Sequence, residues 1–409
     1  LATPVILKGR LDLETQSFTA KLEGLAFNDR NARLLPRRMR YLWRLLDPGG
    51  DIPTVELNYA NEGGPRGEVH LENVALTLPQ LTRQGSAIPA IDDGPSVLEV
   101  LTGEDNTALY RLDPERPRID PSDYQARLSN VTGVLKFDDG GFQLEDLTGR
   151  ALDEDIAYEI NGHVYGYTED APFELTAETE RIRIPRRPRY LVALPSDLQR
   201  LFRKFSPAGD ARAAITLRRT ETGGPVAING RVDILDAEAR YFEFPYPLHN
   251  LTGTIEFTND EIRLVDLVAD APGGGTIGLK GRVWPPGRHA AVDLTILAND
   301  VPWNDALRRA LPDDRRSAVD KFFHQPSYDR LAKAGLLKQP DGSSFEMGGR
   351  ADATIRITAP AGADVKETIA GTLHCRDGGF IVKYFPYPIR DAEGIIRFEN
   401  DRVAFEEVK

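Results

Sequence analysis

The stretch FPYPLHNLTGTIEFTNDEIRLVDL, residues 244–267, returns as FPYPIRDAEGIIRFENDRVAFEEV at 385–408. The two align without a gap and are identical at 9 of 24 positions. A third copy, LSNVTGVLKFDDGGFQLEDL at 128–147, matches 248–267 at 8 of 20. All three place a glycine (Gly133, Gly253, Gly394) four residues before a phenylalanine (Phe137, Phe257, Phe398). Around these residues apolar and polar side chains alternate, as in a strand with one covered face. In the second copy Ile255 and Phe257 point one way, Thr254 and Glu256 the other. The polar TNDE and DDGG segments suit hairpin turns.

Working outward, more strands repeat. AYEINGHV (157–164), TIGLKGRV (276–283) and the opening VILKGRL (5–11) align on Gly162, Gly281 and Gly9. SFTAKLEGL from 17, PFELTAETE from 172 and AVDLTILAN from 291 follow them. The period then changes to helical spacing in ARLLPRRMRYLWRLLDPGGD (32–51), VALPSDLQRLFRKFSPAGD (192–210) and RALPDDRRSAVDKFF (309–323). Proline near the start and Pro/Gly after the end are ordinary helix boundaries. The third version predicts a helix over 309–323, then a polar insertion before strands resume near Ala351. PTVELNYA, RAAITLRR or ADATIRIT comes next, then RGEVHLENV, VAINGRVDI or ETIAGTLHC. The unit is about seven strands with one amphipathic helix.

These units predict the end of a preceding repeat over 1–31, a repeat over 32–180 with a loop insertion near 82–123, a repeat over 181–298, and a last one over 299–409, incomplete at its end. The chain opens mid-unit at Leu1 without a methionine, so it reads as a fragment of a longer protein.

The expected fold is mainly β. Some twenty strands at ~4.8 Å would make a mostly antiparallel sheet on the order of 95 Å long, and such a sheet must twist and curl. The polar face carries Lys136, Glu256, Arg263 and Arg397, so it faces water rather than lipid tails. The alternation assigns to the opposite face Leu135, Phe137, Leu144, Ile160, Ile215, Leu217, Ile228, Ile255, Phe257, Ile262, Leu264, Ile277, Leu279, Val292, Leu294, Ile296, Ile355, Ile357, Ile396 and Phe398. Glycines 9, 162, 230, 281 and 371 fall in mid-strand on that same face. There they favour bending of the sheet about its apolar side over ligand contact.

The bulk numbers agree. A chain of 409 residues is longer than one compact core usually holds. The net charge of −12 argues against nucleic acid, which needs a basic face. No apolar run is long enough for a membrane-spanning helix. The single cysteine, Cys375, rules out an internal disulfide.

The FPYP hairpin, the GGGTIGLKGRV strand and the Leu-Pro helix ending in PxGD resemble the AsmA-like envelope proteins, the family of AsmA and TamB. The likeness extends over nearly the whole chain, most strongly at 126–300 and 350–409. It implies an elongated, curled sheet forming an open gutter with a hydrophobic concave face, the twenty residues above lining the groove. It further implies a bridge-like carrier of phospholipid or another acyl lipid between inner and outer membranes. The place implied is the periplasm, with an inner-membrane anchor and membrane contacts in regions outside this chain, and with envelope proteins as possible partners.

Enzymatic chemistry has no foothold in the sequence. The six histidines (His70, His163, His249, His289, His324, His374) never pair at metal spacing, and no catalytic triad order or P-loop is present, so neither metal nor cofactor is expected. GGG at 273–275 reads as a turn. The sequons at Asn130 and Asn250 fall at equivalent repeat positions, which shared structure explains better than glycosylation. The cluster Arg181, Arg183, Arg186, Arg187 and Arg189, like Arg37, Arg38, Arg40 and Arg44, reads as a solvated helix entry before it reads as a head-group contact. Leu42, Trp43 and Phe202 are taken as packing or edge cover. Two functions stand: a non-enzymatic lipid conduit, and a structural β-scaffold whose apolar face is filled by its own side chains.

Overall fold

The computed structural model describes residues 5–27, 48–60, 64–77, 127–151, 156–168, 170–185, 202–287, 289–338, 343–362, 365–400 and 402–409. The chain divides into two compact units, Leu1–Arg200 with Ala211–Val232, and Leu201–Asp210 with Asp233–Lys409. The predicted helices at 32–51 and 192–210 lie mostly outside the described residues, as does the insertion at 82–123; of the second helix a turn at 202–205 is described.

The fold is an open antiparallel β-sheet with few helices, eighteen strands being described against the twenty or so expected. In the first unit run β1 (Ile6–Asp12), β2 (Ser17–Phe27), β3 (Gly49–Ala60), β4 (Gly64–Thr77), β5 (Arg127–Asp138), β6 (Gly141–Ala151), β7 (Ile156–Val164) and β8 (Phe173–Ile184). Each pairs with the next. β9 (Ala208–Arg219) and β10 (Ala227–Ala239) pair with each other and carry residues of both units. In the second unit run β11 (Leu248–Thr258), β12 (Ile262–Asp270), β13 (Thr276–Trp284), β14 (Ala291–Pro302), β15 (Gly348–Ala359), β16 (Thr368–Val382), β17 (Phe385–Glu399) and β18 (Arg402–Glu406), again paired in order. Short turns, as between β5 and β6 or β11 and β12, admit only antiparallel neighbours; the antiparallel order also holds across the longer connections from β2 to β3, β4 to β5 and β14 to β15.

The three hairpin copies fold alike in a respect that alternation does not reveal. Each strand carries a β-bulge, an extra residue that bends it and strengthens its twist. Asn130, Asn250 and Asp391 sit at the same repeat position with φ of 52°, 51° and 46°. Asp146 and Asp266 do the same on the following strand and Glu407 just past the end of β18, with φ of 48°, 48° and 51°. Asn and Asp tolerate this left-handed conformation better than other non-glycine residues. This is the shared structure behind both sequons. The GGG turn joins β12 to β13 with all three glycines at positive φ, from 83° to 104°.

The helix predicted over 309–323 is broken. The structure has α1 (Asp305–Ala310), α2 (Asp313–Val319) and, in the insertion read only as polar, α3 (Gln325–Lys333). Pro312 causes the break: the residue before it, Leu311, is extended (ψ 138°), as a residue preceding proline prefers.

Candidate functional site

Strand registers line the side chains into rows. In the first unit one row runs Leu7, Leu22, Val55, Val69, Leu135, Leu144, Gly162, Leu175, each directly opposite the next on the neighbouring strand. One residue over, on the other face, the row reads Lys8, Lys21, Glu56, Glu68, Lys136, Gln143, His163, Glu174. Apolar and charged rows are thus segregated to opposite faces. The second unit repeats this. Ile255, Leu264, Gly281, Leu294, Ile357 and Ile369 form one apolar row, and Leu267, Leu279, Ile296, Ile355, Gly371, Phe398 and Val403 another.

The charged face holds itself together with ion pairs in water: Lys21–Glu56 at 3.3 Å, Lys136–Glu145 at 2.7 Å, and Arg356 doubly bonded to Asp293 at 3.0 Å. Hydrogen bonds from Arg356 hold the Asp293 carboxyl below its ordinary range, and the bond to Glu145 raises the Lys136 ammonium. Such exposed pairs add little stability; they keep this face wet.

Of the twenty residues assigned to the apolar face, the registers place seventeen there. Ile215 and Leu217 join them by inference, because Thr216 between them contacts Thr176 of β8 on the polar side at 3.4 Å. Ile228 follows by alternation from Asp233, which accepts a bond from Thr254 on the polar side. All twenty are half-buried, neither sealed nor fully exposed. Full burial of such a side chain is worth about 1.5–3 kcal/mol, so each leaves part of that unrealised.

The sealed side chains gather at the bulged ends of the strands. Leu71, Val74, Leu128, Val131 and Leu147 form a cluster in the first unit, against which Leu144 and Ile160 pack. In the second, Tyr246, Ala271, Val301 and Ala310 form one that draws in Ile277, Ala298 and Leu307. A third joins Leu337, Phe345 and Ile381. Helix α1 therefore covers the Ile277 end of the face. Leu144, Ile160 and Ile277 take part in packing, whereas the other residues of the sequence-derived set lie outside these clusters.

Sequence reasoning missed the rows of β1–β4 and the bulged ends. The signal for the bulges was present: QLEDL and RLVDL space two apolar residues by three, not two, with Asp just before the second. The extra residue returns Leu147 and Leu267 to the face of Leu144 and Leu264. The mid-strand glycines also have a second role. Gly371 stands opposite Phe398, whose ring would lie 2.7 Å from any added methyl group, so the glycine makes room for the phenyl ring.

No family model, curated protein or solved structure matches this chain.

Of the basic cluster, Arg181 and Arg183 are exposed at the end of β8, and Arg186, Arg187 and Arg189 lie outside the described residues, as do Arg37, Arg38, Arg40, Leu42, Trp43 and Arg44. Phe202 is half-buried. No grouping of metal-binding side chains exists among the described residues, and no described helix is long and apolar enough to cross a membrane. Burial pushes the Tyr158 and Tyr246 phenols and the Cys375 thiol above their ordinary pKa values, away from ionisation at neutral pH.

Proposed function

We propose that this chain is a non-enzymatic carrier of acyl lipids, phospholipid foremost, of the AsmA-like and TamB-like kind. The carrying observation is an apolar face, unbroken from strand to strand within each unit, whose side chains are only partly buried. Contiguous apolar surface of this extent is characteristic of interaction sites. In this reading the repeated modules curl the sheet into a gutter and acyl chains lie along its apolar rows. Head groups stay in water, and the chain works in the periplasm between two membranes. Bulges with left-handed Asn and Asp at matching repeat positions support curvature of a common hand. A structural scaffold is the second reading, favoured by the packing of α1 over the Ile277 end.

The test is purification from cells, solvent extraction and lipid mass spectrometry, with transfer between vesicles assayed in parallel. A carrier yields co-purifying phospholipid. Ile255→Asp and Phe257→Asp should abolish transfer while leaving the far-UV circular dichroism intact. Absence of phospholipid, or transfer unchanged by both substitutions, would favour the scaffold.

A further inference from the structure

We infer that α1 is a lid over one end of the apolar face of the second unit, and that lifting it presents the Tyr246 hydroxyl to the ester carbonyl of an acyl chain lying there. The inference rests on the carrier reading and names the chemical group that this end of the face recognises.

The floor under α1 is made of small side chains. Beyond the row that holds Leu279 and Ile296, the registers set Ile277, Ala298 and Ala353 side by side, and then Val301 beside Ala351. The bulge between Ala298 and Val301, where Asp300 takes a φ of 52°, keeps both rows on one face. Alanines between longer neighbours leave a hollow. α1 fills it with Ala306, Leu307 and Ala310.

A polar group is sealed in the same place. Tyr246 is lodged among Ala271, Val301 and Ala310 with its side chain 3% exposed, and its hydroxyl bonds to no group among the described residues. A hydroxyl sealed among apolar groups without an acceptor is a standing cost to the closed form. Burial also keeps the phenol neutral, so it is a donor rather than a charge. An ester carbonyl is the matching partner. It is uncharged, it only accepts, and it is attached to the kind of chain that fits an apolar hollow. A ligand carrying that group binds the open form better than the closed one, and such a difference is what moves a lid.

α1 is lightly held. Among the described residues no backbone group of 305–311 bonds to a strand. Extended residues flank the helix, Asn304 with a φ of −145° and Leu311 with a ψ of 138°. The polar ties are few. Asn304 donates to the Pro272 carbonyl at 2.6 Å, and Arg308 bonds doubly to Asp320, at the end of α2, at 2.6 and 2.8 Å. Arg308 and Asp320 are both partly exposed, so water can take the place of their bond.

The test reads amide exchange at 305–311 in the 409-residue chain, titrated with vesicles of a diacyl phosphatidylcholine and, separately, of its dialkyl ether analogue. Both lipids should raise exchange as α1 lifts. The ester should do so at a concentration roughly three- to tenfold lower, the worth of one hydrogen bond. Tyr246→Phe should bring the ester to the ether's concentration and leave the ether where it was. Asp320→Asn, which frees α1 from α2, should lower both concentrations alike. Equal ester and ether concentrations in the wild type overturn the inference, as does an ester preference that Tyr246→Phe retains. Bound lipid is measured on the same samples by mass spectrometry. Lipid bound without any change at 305–311 overturns the lid and leaves the carrier reading standing, whereas a chain that binds neither lipid overturns both.

Discussion

Asp266 illustrates how a single side chain serves this fold. Its φ of 48° costs most L-residues about 1–2 kcal/mol, and Asp less. The conformation adds one residue between Leu264 and Leu267 and keeps both on the apolar face. Asp266→Val should therefore destabilise the second unit by roughly 1–2 kcal/mol, while Asp266→Gly should stay within a few tenths, as read from urea denaturation midpoints. Equal effects of the two would mean that the bulge is not sensitive to backbone conformation at this position.

Among the elements, the helices α1 to α3 depend most on contacts made across the chain. At six, seven and nine residues each is too short to persist alone in water. The Asn304 side chain caps α1 by accepting from the Leu307 N–H at 2.9 Å, and its amide donates to the Pro272 carbonyl at 2.6 Å, tying the helix to the GGG turn. Phe323 stacks on Trp303 with ring centroids 4.8 Å apart, and the His324 N–H donates to the carbonyl of Ile381, a residue without exposure. Asn304→Ala is expected to cost about 1 kcal/mol and Ile381→Ala about 2–5 kcal/mol. Hydrogen exchange across 305–337 should rise in both, and faster exchange confined to the strands would contradict this account of the helices.

For the whole molecule, the relevant fact is that each unit carries its own sealed cluster. A chain whose sealed side chains fall into separate clusters holds its stability locally, each region opening with its own free energy. Val131 is fully sealed in the first unit. Val131→Ala should raise amide exchange in β4 to β6 while protection in β12 to β16 stays unchanged. A uniform loss of protection across all strands would show a single cooperative block instead. The carrier reading belongs to this scale too, because no single residue of the apolar face makes a site; the site is the row.

The positions of the strands, their two faces and the equivalence of Gly133, Gly253 and Gly394 were legible in the linear sequence, because a period of two is a local property of neighbouring residues. The twenty apolar positions were legible for the same reason. Three further features were not. The bulge at Asn130 depends on what stands across the ladder, and the break at Pro312 came with a third helix hidden in a polar stretch. Which end of the apolar face is sealed was decided by chain far away in sequence: Ala310 closes over Ile277, thirty-three residues earlier. The sequence by itself determined the strands and the segregation of oil from charge. Only the tertiary structure decided which apolar rows are covered and which stay open, because covering a face requires distant segments to meet, and alternation carries no record of that meeting.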